Sequence, residues 1–172
     1  MANVLAGKKA YLGGPIEQCN AKENWRPPVM ETLKTKFGID VFDPFSDPKQ
    51  QWVSALNEAK AAHDYGTIRT IAKRFVKKDL QIVQKAELHV AYIPRGVPTT
   101  GTVHEIVVSN QCKNPILLVC PEGKIHVPLW YWGFIPHKHF FGSWEEMYAY
   151  LAEVEDGKHT DEFLWSYIYG LV

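Results

Sequence analysis

Two carboxylates carry the residue type and setting for chemistry. Glu105 follows the loop YIPRGVPTTG, residues 92–101, and Asp79 sits 26 residues earlier in KKDLQIVQKAEL. Each has a bland explanation. Thr102-Val-His-Glu105 has the spacing of a helix capping box, in which the glutamate serves only the start of a helix. Asp79 follows Lys77 and Lys78 and reads equally as a solvated acid. An ordinary cap, however, does not require a loop with two prolines to stiffen the backbone and two glycines to let it approach a ligand. At helical spacing Asp79 heads a face continued by Ile82, Val83 and Ala86, where carboxylates are seldom placed without a partner or a task. Two carboxylates flanking one crevice are the equipment for breaking a glycosidic bond. One acts as nucleophile or stabiliser, and the other gives a proton to the leaving group.

The rest of the chain must position them. KKAYLGG reads as a strand ending in a double glycine, and WRPPVMETLKTKFG as a helix opened by prolines and closed at Gly38. IDVFDPF is a second strand closed by Asp43-Pro44. KQQWVSALNEAKAAHDYG and TIRTIAKRFVKKDLQIVQKA are helical, with a stop at Gly66 and a fresh start at Thr67. LHVAYIP is a third strand, TVHEIVVSNQCK a helix with Glu105 in its first turn, and PILLVC a fourth strand whose unbroken apolar run suits burial on both faces. HKHFF reads as a fifth strand, and SWEEMYAYLAEVE as a helix whose capping box is Ser143-x-x-Glu146. Strands alternating with helices predict a parallel sheet with helices on both faces, and a ligand site beyond the carboxyl ends of the strands. Gly13-Gly14, Asp43-Pro44 and the loop before Glu105 fall there.

Composition narrows the function. The 172 residues fit one domain, with 46% hydrophobic and 22% charged residues and a formal net charge of zero. That balance argues against nucleic-acid and membrane-surface binding. The absence of a long apolar run or signal-like core leads to the expectation of a cytoplasmic protein, with Cys19, Cys112 and Cys120 as reduced thiols. No phosphate-loop, full dinucleotide, HExxH, paired CxxC or G-x-S-x-G pattern is present. His137 and His139 share a strand face but lack a third ligand for zinc, so no metal is expected.

YLGGPIE, NWRPP, VFDPF, the tract from Lys77 to Ile106 and PILLVCPEG together resemble, in order, the nucleoside 2-deoxyribosyltransferases and their relatives, the deoxynucleoside 5′-monophosphate N-glycosidases. The resemblance covers most of residues 8–135, and LWYWG and the tail SYIYGLV look like the transferase branch. It implies that Glu105 attacks C1′ of the deoxyribose, that Asp79 protonates the departing base and that Tyr11 orients the glutamate. It further implies substrate contacts at Gly13, Gly14, Pro15, Asp43, Thr99, Thr100, Gly101 and Trp130. Thr99 stands where many transferases carry an aspartate, whereas the glycosidases place a hydroxyl residue there for phosphate. With Thr100 and Thr102 it could therefore meet a phosphate, although the first loop lacks the glycosidases' arginine and serine. Its nearest arginine is Arg26. Pro128 or Trp130 stands near the place of the family's asparagine for the 5′-hydroxyl.

The resulting expectation is a single doubly wound, flavodoxin-like α/β domain with a five-stranded parallel sheet. It exchanges bases on 2′-deoxyribonucleosides through a glycosyl-enzyme, with no metal or organic cofactor. Its partners are expected to be deoxyribonucleosides, free nucleobases and further copies of itself. The aromatic tail, residues 160–172, is too apolar to be solvated and is expected to reach a neighbouring subunit's site. Two alternatives remain open: hydrolysis of a deoxynucleoside 5′-monophosphate, and a nucleoside- or nucleotide-binding module without turnover.

Overall fold

The computed structural model describes residues 3–16, 24–46 and 51–171. Cys19, the end of the first loop and the opening residues of the predicted second helix lie outside them. The elements in chain order are β1 (Lys9–Gly13), α1 (Arg26–Phe37), β2 (Asp40–Phe42), α2 (Val53–Ala61), α3 (Tyr65–Lys85), β3 (Leu88–Tyr92), α4 (Thr100–Gln111), β4 (Ile116–Val119), α5 (Leu129–Trp132), β5 (Phe140–Phe141), α6 (Trp144–Glu155) and α7 (Phe163–Ser166). The five strands pair in the order β2-β1-β3-β4-β5, all parallel. This is a doubly wound, flavodoxin-like order, and the chain reverses direction across the sheet between β1 and β3.

Alternation along the strands divides the core between two faces. Ala10, Leu12, Leu88, Val90, Leu117 and Val119 turn toward α1, α6 and α7, where Leu33, Phe37, Met147, Leu151 and Trp165 pack on them. Each Val, Leu, Phe or Met among them contributes about 1.5–3 kcal/mol on burial. Tyr11, Ala91 and Leu118 turn the other way, toward Val83 of α3, Ile106 of α4 and Tyr131 of α5. The first face is almost wholly apolar. The second carries the polar groups described below.

Local chemistry explains most of the boundaries. α1 begins with prolines at its first positions and stops at Gly38, whose φ of 66° is left-handed and whose N–H bonds to Lys34 O at 3.0 Å. In α6, Ser143 Oγ accepts from Glu146 N–H at 3.2 Å, as its capping box predicts, while the Glu146 carboxylate accepts from Gly142 N–H at 2.8 Å.

Three local expectations are corrected. α3 starts at Tyr65, because the Asp64 side chain caps Thr67 N–H, so Gly66 lies inside the helix and the break falls at Ala62–Asp64. The fifth strand is only Phe140–Phe141. His137–His139 form a 3-10 turn after Pro136, with His139 buried and His137 exposed, so the two imidazoles do not share a strand face. α4 starts at Thr100, with Val103 N–H bonding to Thr99 O at 2.9 Å, so Thr102 is inside the helix and does not cap it. Glu105 accordingly sits in the second turn, and the capping-box explanation of it fails.

Candidate active site

The carboxyl ends of β1 and β3 open into a cavity of about 490 Å³ between α3 and α4. Asp79 and Glu105 both line it, Asp79 from α3 and Glu105 from α4. Gly14, Pro15, Thr99, Thr100 and Gly101 line it as well, and Phe75, Val76 and Leu80 of α3 supply an apolar wall. Two helices packed side by side on the sheet thus bring together the two acids that the sequence separates by 26 positions.

Tyr11 stands behind this wall, fully buried on β1. Its hydroxyl donates to Glu105 Oε1 at 2.6 Å, a short charge-assisted hydrogen bond. Burial raises the tyrosine's pKa far above its ordinary value, and the negative charges of Glu105 and Asp79 raise it further. Tyr11 is therefore a permanent donor, and Glu105 is held from one side in a fixed orientation. Glu105 itself is buried, with only 9% of its surface exposed.

The two glycines after β1 have different neighbours. A methyl group added at Gly13 would lie 2.6 Å from His89 Nε2 and 3.3 Å from Glu105 Oε2. One added at Gly14 would lie 2.5 Å from the Trp25 ring, which stacks on Trp144 and leans on Tyr92. Both positions are closed to larger residues by protein side chains.

The loop after β2 is tied down by charge. Asp43 is 5% exposed; its carboxylate accepts from Phe45 N–H at 2.9 Å and Ser46 Oγ–H at 2.8 Å, and pairs with Arg26 Nε at 3.0 Å. The same guanidinium donates to Gly14 O and Pro15 O, each at 3.0 Å. Arg26 and Asp43 therefore lock the loops after β1 and β2 together. Breaking such a buried pair from one side costs about 3–5 kcal/mol. Neither Asp43 nor Trp130 lies on the cavity wall: Pro44 does, and Trp130 on α5 is 79% exposed.

Sequence reasoning passed over His89, Ser109 and His104. His89 interrupts the otherwise apolar strand LHVAY and faces Tyr11 across the β1–β3 pair. Its Nδ1 lies 2.8 Å from Ser109 Oγ, and Ser109 follows Glu105 by one helical turn on the inward side of α4. A histidine inside an apolar strand and a serine four residues beyond a candidate acid were the available signals. His104 lines the cavity beside Glu105. Among the described residues no cluster of three or more His, Cys, Asp or Glu is arranged to hold a metal ion, and no helix is long and apolar enough to cross a membrane.

No protein-family model and no curated protein matches the chain. Solved structures do. A 2-deoxyribosyltransferase from the psychrotolerant bacterium Bacillus psychrosaccharolyticus superposes with a TM-score of 0.53 at 19% identity, over 81% of this chain and 89% of that one. The CMP N-glycosidase of Clostridium botulinum superposes with a TM-score of 0.51 at 17% identity, over 84% of this chain and 99% of that one. At these identities the likeness is one of fold.

Proposed function

We propose that the chain is an enzyme of the nucleoside 2-deoxyribosyltransferase kind, which moves 2-deoxyribose from one nucleobase to another. Glu105 attacks C1′, the bond from C1′ to the base nitrogen breaks, and Asp79 gives the departing base its proton. A second base then enters, Asp79 takes its N–H proton, the nitrogen bonds to C1′ and Glu105 leaves as a carboxylate. The observation that carries this reading is the Tyr11–Glu105 hydrogen bond of 2.6 Å at the wall of a cavity that Asp79 shares. A carboxylate held by a donor that cannot ionise is prepared for attack on carbon. The low-identity likeness to a deoxyribosyltransferase and an N-glycosidase agrees with it.

The runner-up is hydrolysis of a deoxynucleoside 5′-monophosphate, with water replacing the second base. Thr99 and Thr100 favour it, because both line the cavity at the start of a twelve-residue helix, where amide N–H groups attract phosphate. The commitment of Arg26 to Asp43 and two backbone carbonyls favours the nucleoside. A binding module without turnover is the third reading, and it predicts affinity that survives Glu105→Ala.

Chromatography of thymidine plus adenine, beside thymidine alone and dTMP alone, separates all three. Deoxyadenosine formed only in the mixture is the expected result. Thymine released from dTMP alone supports the hydrolase, and unchanged substrates in every reaction support the binding module. The same reading includes a cytoplasmic homo-oligomer. Phe163, Tyr167 and Leu171 of the tail are exposed, at the end of the sheet opposite the cavity, and suit contact with another subunit rather than with their own site. Light scattering after size exclusion tests it, a monomer being the contrary result.

A further inference from the structure

The least expected group near Glu105 is His89. Its ring is completely buried at the centre of the sheet, and burial pushes its pKa down to about 3, so the imidazole is neutral at any ordinary pH. One ring nitrogen is accounted for by Ser109, whose hydroxyl lies 2.8 Å from Nδ1. The other, Nε2, is buried and has no hydrogen-bond partner. A buried polar atom left unpaired is destabilising, which a sequence tolerates where the atom has work to do.

The hydrogen bond to Ser109 ties the tautomer of His89 to the direction of the serine hydroxyl. Ser109 is completely buried, and its hydroxyl lies within hydrogen-bond distance of His89 Nδ1. If the hydroxyl donates to Nδ1, the imidazole proton resides on Nε2, and a single donor is left unpaired. The opposite tautomer would leave the Nε2 lone pair unpaired and would turn the serine proton away from His89, onto a carbonyl of its own helix. The Nε2–H then points along the sheet toward its carboxyl end. The point 2.6 Å from Nε2 above Gly13 is also 3.3 Å from Glu105 Oε2. Gly13 keeps this path clear, because any side chain there would block it.

We infer that His89 is a positioning residue for Glu105: its Nε2–H, oriented by Ser109, serves the Oε2 side of the carboxylate as Tyr11 serves Oε1. The two groups are not hydrogen-bonded in this structure, and Thr102 Cγ2 lies 3.1 Å from the same point, so contact requires the carboxylate to turn about its hydrogen bond to Tyr11. Two fixed donors from adjacent strands would then define the plane of the carboxylate. Gly13 belongs to the device as the residue that lets the two groups meet. The inference rests on the reading of Glu105 as the reacting carboxylate only for its consequence in catalysis. The contact itself is testable without turnover.

Two NMR measurements on the full chain test it. With ¹⁵N-labelled histidine, His89 should show the Nε2–H tautomer and stay unprotonated from pH 5 to 8. With ¹³C-labelled glutamate, the Glu105 carboxyl, assigned by its loss in Glu105→Gln, should titrate about one pH unit higher in His89→Phe, because a donor to the ionised form has gone. His89→Gln, which keeps an N–H near the position of Nε2, should restore most of that shift, and Ser109→Ala should give a smaller one. The charges that reach this corner from other elements are those of Asp79 on α3 and Arg26 on α1, both felt by Tyr11. Repeating the titration in Asp79→Asn separates the contribution of that carboxylate. An Nδ1–H tautomer, or a Glu105 titration that His89→Phe and Ser109→Ala both leave unmoved, overturns the inference. If the shift is found while Glu105→Gln still turns over substrate, the proposed function fails and the contact stands.

Discussion

The molecule contains two buried clusters built from similar parts, and they have different surroundings. One joins Tyr11, His89, Glu105 and Ser109 at the carboxyl end of the sheet. The other joins His139, Tyr150, Trp165, His159 and Glu162, where α6 meets the tail. In it Trp165 Nε1–H donates to Tyr150 Oη at 2.9 Å, Tyr150 Oη lies 2.9 Å from His139 Nε2, and Glu162 pairs with Lys138 and with His159. Each cluster has a tyrosine and a neutral histidine, His139 being pushed down to about 4 by burial. The tail cluster turns its groups on one another and fastens α7 to the domain, with Trp165 completely buried. Both clusters hold unpaired ring nitrogens, His139 Nδ1 and His159 Nε2 in the tail and His89 Nε2 here, but only the Glu105 cluster borders the cavity and sets its nitrogen near a carboxylate that lines it. A buried polar network facing inward holds a fold together, whereas one at the edge of a cavity can do chemistry.

Substitutions can break this contrast or sharpen it. Glu105→Gln should lower kcat/KM for base exchange by about ten-thousandfold or more, with urea unfolding unchanged. Asp79→Asn should lower it by roughly a hundredfold or more, since a positioned proton donor contributes about that much. Near-normal rates in either purified variant would remove the residue from its role. Trp165→Ala should do the reverse: a loss of about 3–5 kcal/mol of stability in urea titration, with the activity of the folded fraction retained. If its kcat/KM falls as far as that of Asp79→Asn, the tail is part of the site and the contrast collapses.

Gly13→Ala addresses the cavity edge alone. The added carbon meets His89 Nε2 at 2.6 Å, and the shift this forces on Glu105 should reduce kcat/KM by about tenfold or more while Tm changes by only a few degrees. The smallest effect concerns pH. His139 has a folded pKa of about 4 against an ordinary value of 6.5, so between those limits the unfolded chain binds a proton that the folded chain refuses. Stability therefore falls as pH falls through that window, and His89 adds the same trend down to about 3. Urea midpoints at pH 7, 5.5 and 4.5 should show this slope, and it should be shallower in His139→Gln. An unchanged slope would mean that His139 is not held neutral.

Much of the frame was legible because it depends on local pattern. Alternating apolar runs and helical periods predicted five parallel strands, and the topology placed Gly13-Gly14, Asp43-Pro44 and the loop before Glu105 at one end of the sheet. What the sequence hid depends on contacts across the fold. Thr102-x-x-Glu105 imitates a capping box, but α4 begins earlier, immediately after Pro98-Thr99, and the glutamate turns inward to Tyr11. HKHFF has the look of a strand, yet Pro136 starts a 3-10 turn and leaves only two residues to pair. His89 reads as an ordinary interior residue until the register sets it opposite Tyr11 and beneath α4. Asp43 looked available to a substrate, and its lone pairs are directed to Arg26, Phe45 and Ser46.

The central claim is that Glu105 takes the sugar. Wild-type protein mixed with a 2′-deoxyribonucleoside and no acceptor base, quenched in acid and digested, should yield the peptide containing Glu105 with the mass of one added deoxyribosyl group. The adduct should disappear when a free base is added before the quench, as deoxyribose passes to it. Base exchange by the same preparation with no adduct on that peptide, together with an active Glu105→Gln enzyme, would contradict the account.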